Sequence, residues 1–304
     1  MDLSFLTHTW WGPLAFVILT GHLTVMCTSL YMHRAMAHAG VEFHPLVNWA
    51  MRWWLWIFTG MSTREWVAVH RKHHAFCETE DDPHSPVIHG WAQILFFGVK
   101  YYRIAYSDQS TMEQFTKGCP DDFIERRLFV PHKMLGIMIL LLIEVLIFGF
   151  WVGPIVWLAQ VIWVPFWAAG VVNGLGHTIG YRNFKVRDAS RNLVPLGLLL
   201  SGEELHNNHH KFPASAKFSK RWFEVDMGWG YIQSLKLLGL AKVKVVHEGV
   251  ANFKRTTVAA AKEAAQGAAH NAMEAAHNAK ASAQQAVESA KAAANASAAL
   301  SSDY

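Results

Sequence analysis

The sequence predicts an all-α integral membrane protein with about three transmembrane helices, further interfacial helices and a histidine-rich cap on one face. Three observations predict it. Only 16% of the 304 residues are charged and 52% are apolar, against about 25% charged in soluble domains. The apolar residues gather into runs of spanning length, and there are eighteen histidines, more than surface polarity requires. The net charge of +4, with no single basic stripe, excludes a nucleic-acid footprint. Cys27, Cys77 and Cys119 form no CxxC pair and leave an odd count, which excludes a disulfide scaffold and a thiolate zinc site.

Residues 12–32 carry no charge over 21 positions, enough at about 1.5 Å per residue to span a hydrocarbon core of about 30 Å. Between Lys133 and Arg182 the only formal charge in 48 residues is Glu144. Gly149, Gly153 and Pro154 interrupt that run, which predicts a hairpin of two helices, Met134–Trp151 and Ile155–His177. A carboxyl inside it is costly, so Glu144 is expected to have an interhelical partner. Segment 46–63 contains Arg52, with Trp53, Trp54 and Trp56 suited to an interface, and reads as an interfacial or re-entrant helix, because histidines precede and follow it and a crossing would separate them. Trp91–Val99 is too short to span and is expected to lie flat. All basic residues outside the tail then fall on the histidine side, which the positive-inside rule makes cytoplasmic.

The composition divides the chain into a membrane domain, 1–248, and an alanine-rich tail, 249–304. In the tail AAHNA occurs at 268 and again at 275. It reads as a low-complexity helical or disordered segment, its histidines being polar spacers.

Nine histidines fall into four groups: HRAMAH (His33, His38), HRKHH (His70, His73, His74), NGLGH (His177) and HNNHH (His206, His209, His210). In HRKHH and HNNHH the spacing i, i+3, i+4 places three imidazoles on one helix face, where they can converge. His33 and His38 are five apart, about 140° around a helix, so they serve two ions or need a local unwinding. Nine nitrogens are too many for one ion and fit two, with four or five each. Imidazole suits several transition metals. Iron is favoured, since a hydrolytic zinc site holds three protein ligands and water, whereas a nitrogen cage in a membrane suits O2 activation. His8, His22, His44, His84, His89, His132 and His247 read as ordinary polar residues.

The boxes HRAMAH, HRKHHAFCETEDDPHSP and GEELHNNHHKFP, with NGLGH before the last, resemble membrane fatty acyl desaturases of the stearoyl-CoA desaturase type, above all their short bacterial members, over about residues 12–248. The resemblance implies a diiron centre that uses O2 and two electrons to remove two hydrogens from a saturated acyl chain, usually at Δ9. It implies that the nine histidines bind the irons and that Asn173 approaches one through water. No fused donor is recognisable, so electrons are expected from a separate ferredoxin or cytochrome b5-like protein with its reductase.

Glu65, Glu78, Asp81, Asp82, Glu203 and Glu204 flank the boxes. Glu203 or Asp81 is expected to accept the second ring N–H of a ligand histidine, the alternative being surface ion pairs. Trp163, Phe166 and Trp167, with Trp53, Trp54 and Trp56, are expected as channel walls or interface anchors. Arg182 and Arg187 are candidates to hold a phosphate-bearing head group or an acidic donor surface. A CoA ester is the expected substrate and a membrane lipid the alternative. A hydroxylase on the same scaffold stays open. A metal transporter is disfavoured, because only His22 lies inside a span.

Overall fold

Helix α1 spans Gly12–Ala37 and has a proline in its first turn, where a missing N–H forfeits no helical bond. The structure, a computed structural model, describes residues 9–248; the alanine-rich tail and His8 lie outside the described residues. The last ten residues of α1, Thr28–Ala37, widen into a π-helix. Strand β1 (Val41–Phe43) leads to α2 (Pro45–Thr59), capped by His44 Nδ1, which accepts from the Leu46 N–H at 3.3 Å. This is the helix expected at 46–63. Its charge is explained by partners: Arg52 is buried and donates to Asp122 at 2.7 Å and Glu125 at 2.9 Å.

Helix α3 (Thr63–Phe76) starts at the Ser62 cap, and short α4 (Pro86–His89) precedes α5 (Trp91–Ser107). The segment expected to end near Val99 thus continues for another eight residues, because it packs along the end of the hairpin rather than lying alone. Helix α6 (Gln109–Phe115) and a short π-helical turn (Glu125–Phe129) follow.

Segment α7, Lys133–Leu175, is with α1 one of the two described segments long and apolar enough to cross a membrane. It doubles back. Gly149 has φ 80° and ψ 173°, a conformation open to glycine. Beyond it the Trp157 indole N–H donates to the Ile137 carbonyl at 2.9 Å, and Gln160 Nε2 donates to Glu144 Oε1 at 2.8 Å. Residues 20 apart in one helix would be about 30 Å apart, so the two limbs run side by side. They touch closely: a Cβ on Gly153 would stand 2.6 Å from Val145 Cα. Glu144 thereby has the interhelical partner expected of it.

The cap is built from loops, α8 (His206–Lys211), α9 (Met227–Leu237) and two small sheets. In one sheet β1 pairs antiparallel with β4 (Ala241–Val243); in the other β2 (Leu196–Gly197) pairs parallel with β3 (Val225–Asp226). Arg34 locks α1 to this cap. It is fully buried, makes a two-pronged bond to Asp226 at 2.9 and 3.1 Å, and donates to the carbonyls of Ser201 at 2.7 Å and Ala216 at 2.8 Å. Its guanidinium lies 3.8 Å over the Phe218 ring.

Candidate metal centre

His33 and His38 share one side of the chain because α1 ends as a π-helix, whose bonds close on i+5. The His38 N–H donates to the His33 carbonyl at 3.1 Å. Of the two alternatives left by the spacing, the local change of helix is the one observed, and both imidazoles enter one group.

The boxes on α3 and α8 divide their histidines. In each, i and i+4 lie about 40° apart around the helix and i+3 about 100° from i+4, so each helix sits between two groups and feeds both. His70 and His74 join His33, His38 and His209; His73 joins His177, His206 and His210. The three imidazoles of a box therefore do not converge on one point, as their shared face suggests, but split two and one.

Within each group the ligand nitrogens lie within 4.8 Å of one another. His209 Nε2 is 3.0 Å from His33 Nε2 and 2.9 Å from His74 Nε2, and His38 Nε2 is 2.9 Å from His70 Nε2. His206 Nε2 is 3.0 Å from His177 Nε2 and 3.1 Å from His210 Nε2. With metal–nitrogen bonds of about 2.0–2.1 Å, imidazoles at right angles around one ion stand about 3 Å apart. Burial, then the neighbouring imidazoles, holds His38, His70, His74, His206 and His209 well below the ordinary histidine range. They are neutral at physiological pH, the state in which imidazole binds a metal.

Carboxylates set the tautomers. Glu203 Oε1 faces His33 Nδ1 at 2.8 Å, Asp82 Oδ1 faces His73 Nδ1 at 2.9 Å, Glu78 Oε1 faces His177 Nδ1 at 3.1 Å and Asp188 Oδ2 faces His210 Nδ1 at 3.2 Å. A carboxylate on Nδ1–H leaves Nε2 as a bare lone pair. In the second group His177 and His210 then aim lone pairs at His206 Nε2, which has at most one hydrogen to offer, while His206 Nδ1 is buried without a partner. A cation among them resolves this arrangement, so the residues present fit a metal.

Glu203 stands where the sequence reading put it. Asp81 does not: it is exposed, and its neighbour Asp82, 2% exposed, meets His73. The turn after α3 decides between the two, because Asp82 also accepts from the N–H of Glu78 at 2.8 Å and of His84 at 3.1 Å. Glu78 has φ 64°, a strained conformation for a residue with a side chain, and this carries its carboxylate to both His177 and the Ala189 N–H at 2.7 Å. The spacer of HNNHH also acts. Asn207 donates to the Phe184 and Ser190 carbonyls, and Asn208 to Glu224 and the Phe218 carbonyl, clamping the loops that frame α8.

A cavity of about 520 Å³ reaches the histidines, a size typical of a small-molecule site. His33, His70, His206 and Asn173 line it, with Val25, Ile137, Val161 and Val164 among its apolar walls. None of Trp53, Trp54, Trp56, Trp163, Phe166 or Trp167 does; its indoles are Trp66, stacked on His70 at 4.8 Å, and Trp157. The expected tryptophans pack elsewhere: Trp54 donates to Thr24, Trp53 and Trp56 rest on Phe129, and Trp163 covers Gly21. Arg182 and Arg187 are exposed and away from the cavity, Arg182 bonding the Asp188 carbonyl at 2.5 Å. His84 was read as an ordinary polar residue. It is buried, lines the cavity, stacks on His73 at 4.5 Å, is held down to about 3 by burial and by His73, and its buried Nε2 has no partner. Its signal in the sequence is the DDPH turn that also places Asp82. His22, by contrast, has the expected ordinary partner, the Tyr231 hydroxyl at 2.8 Å.

The sequence model of the fatty acid desaturase family matches residues 9–233, the stretch that contains every residue of both histidine groups. The chain belongs to the fatty acid desaturase family. This is a family of oxidoreductases. Among its relatives, an sn-1 stearoyl-lipid 9-desaturase of Anabaena variabilis is 34% identical over 179 residues, 58% of this chain and 63% of the relative. An acyl-CoA 5-desaturase of Anemone leveillei is 32% identical over 241 residues, 76% of this chain and 72% of the relative. A Delta-9 desaturase-like protein of Arabidopsis thaliana is 27% identical over 242 residues, 76% of each. Family and apolar segments together make the chain a membrane desaturase-family protein with histidine clusters suited to metal.

Proposed function

We propose that the protein is an O2-dependent fatty acyl desaturase that introduces a cis double bond, at Δ9, into a saturated chain at a diiron centre. The observation that carries this reading is the pair of imidazole groups, three of whose members, His33, His70 and His206, line a largely apolar cavity. His33, His38, His70, His74 and His209 would hold one iron, and His73, His177, His206 and His210 the other, with Asn173 approaching through water. When bound, the two irons supply the redox chemistry: O2, two electrons and two protons are consumed, two hydrogens leave the chain and two waters form. The protein's part is positioning. Glu203, Asp82, Glu78 and Asp188 keep Nδ1 protonated and Nε2 free. Trp66, Trp157 and the aliphatic walls keep water from the acyl chain and hold it extended. A separate ferredoxin or cytochrome b5-like donor provides the electrons.

We further propose three membrane crossings, α1 and the two limbs of α7, with the histidine cap on the cytoplasmic face of a bacterial inner membrane. Basic residues flank the cap side of both segments, which supports this orientation. A cysteine placed near residue 5 should react with reagents added outside the cell, and reaction only from inside refutes the crossing count. The activity is tested by expression in a host lacking its own desaturase, locating double bonds by mass spectrometry and counting iron per chain. His206→Ala and His73→Ala should insert normally and yield no unsaturated product; full activity in either rejects the assignment, and a hydroxylated product rejects desaturation.

A further inference from the structure

Residues 192–202, the stretch that leads from the loops of the cap into Glu203 and His206, hold eleven positions without a formal charge. Val194, Leu196, Leu198 and Leu199 within it are exposed. So is Val225, which pairs with Leu196 in the β2–β3 sheet. Apolar side chains scattered singly over a surface are ordinary, but five gathered on one loop and the strand beside it mark a surface that something covers.

The depth at which this loop meets α1 says what covers it. His22 lies ten residues from each end of the uncharged stretch 12–32, about 15 Å along the axis, and its ring reaches the loop. Nδ1 donates to the Leu199 carbonyl at 3.2 Å, and Nε2 accepts from the Tyr231 hydroxyl of α9 at 2.8 Å. The neighbouring Gly21 is covered by Trp163, which stands midway between the Gly149 turn and His177 in the chain. By either helix, Leu199 sits near the middle of the uncharged runs. Ile18 and Leu19, four and three positions before His22 and therefore on its face of α1, are exposed, so the outward apolar surface of α1 adjoins that of the loop.

We propose that this leucine loop is inserted in the bilayer, with Val194, Leu196, Leu198 and Leu199 against the lipid chains of the leaflet on the histidine side and His22 as its anchor on α1. The proposal rests on the crossing by α1 given above. Irregular backbone is tolerated at membrane depth only where its N–H and C=O groups are bonded to protein, and this loop meets that condition at both ends and in the middle. The Leu193 N–H donates to the Glu204 carbonyl at 2.7 Å, and Pro195 has no N–H while its carbonyl accepts from Val225 at 2.9 Å. Leu196 and Gly197 pair with β3, His22 takes the Leu199 carbonyl, and the Leu200 N–H donates to Glu204 Oε1 at 2.8 Å. One ring N–H and one ring lone pair make both His22 bonds without a charge, which accounts for a histidine in the middle of an apolar span. Because the loop runs into Glu203, which meets His33 at 2.8 Å, the same anchor fixes the height of the HNNHH segment against α1.

The test uses the full chain in phosphatidylcholine vesicles containing a trace of phosphatidylcholine with a diazirine midway along one acyl chain, and in parallel a water-soluble diazirine. Adducts are mapped by mass spectrometry, with Leu19 and Leu146, exposed on the apolar segments, as references. Leu196, Leu198 and Leu199 should carry lipid adducts as the references do and take little label from water. His22→Leu removes the anchor while keeping α1 apolar, and should lower the lipid labelling of the loop by about tenfold, the worth of one buried carbonyl left unpaired, with Leu19 unchanged. Leu199→Asp, which puts a charge into hydrocarbon, should lower it as well. A loop labelled from water while the references are labelled from lipid refutes the insertion and leaves the crossing by α1 intact. Protection from both probes, the result of a second copy of the chain or another protein over the patch, refutes it equally. References labelled only from water refute the crossing and the insertion with it. Loop labelling unchanged in both variants also overturns the proposal.

Discussion

Replacing Asp82 by asparagine acts on one histidine group and spares the other. Both carboxylate oxygens reach His73 Nδ1, at 2.9 and 3.1 Å, and neither side chain is exposed. Burial raises the carboxyl, but the charge and hydrogen bond of His73 outweigh it and hold Asp82 below the usual carboxylate range. Asparagine keeps the shape while removing the charge and one acceptor, so His73 loses the partner that fixes its tautomer. Loss of such a partner weakens metal binding by about 10–100-fold, or about 1.4–2.7 kcal/mol. The loss should fall on the ion held by His73, His177, His206 and His210, since Asp82 touches no member of the other group. Chelator titration of the purified, metal-loaded protein, with metal per chain counted at each step, should show one ion leaving at about 10–100-fold lower chelator and the other unmoved. Asp81→Asn, at an exposed position, serves as the control. If both ions leave Asp82→Asn together, or neither is weakened, the partition of the histidines is wrong.

Three further outcomes follow from the packing. Arg34→Ala leaves Asp226 buried and unpaired, so it should destabilise the protein by about 3–5 kcal/mol, read by denaturant unfolding; a loss below 1 kcal/mol would mean that the Arg34 anchor is dispensable. In metal-stripped protein His38, His70, His74, His206 and His209 lie below their unfolded range near 6.5, and His210 and His84 are held down to about 3. The unfolded chain then binds more protons, so stability is full above about pH 6.5 and falls as the pH drops toward 3; a melting temperature equal at pH 7.5 and 5.5 contradicts their burial. Gly153→Leu places a side chain against the Val145 backbone and should separate the limbs of α7, lowering the yield of folded protein in detergent, whereas Gly90→Leu meets no neighbour within 4 Å and should do so only through its positive φ.

Much of the centre was legible because the ligands are spaced by local geometry. HRKHH and HNNHH announce themselves at i, i+3, i+4, and the hairpin is marked by glycines and a proline in a run with one charge. What spacing could not show was direction. The same three imidazoles can gather in one group or divide between two, and only the rotation of α3 and α8 relative to α1 and α7 selects the second. Asp81 and Asp82 are equivalent on paper; the bonds of the turn to Asp82 turn that carboxylate inward. The cavity walls were misplaced for a similar reason, since a tryptophan serves equally as wall, anchor or filler, and the partner decides which.

The sequence by itself determined the apolar segments, the side of the chain that carries charge, and which nine imidazoles are available for metal. These follow from backbone periodicity and from the cost of placing charge in hydrocarbon, both local properties. Tertiary structure alone decided the five-and-four partition, the π-turn that brings His38 beside His33, and which carboxylate meets His33, His73, His177 and His210. Apart from the π-turn and the Asp82–His73 pair, these depend on contacts between residues tens to hundreds of positions apart, where many packings satisfy the same pattern and only the close fit of side chains selects one.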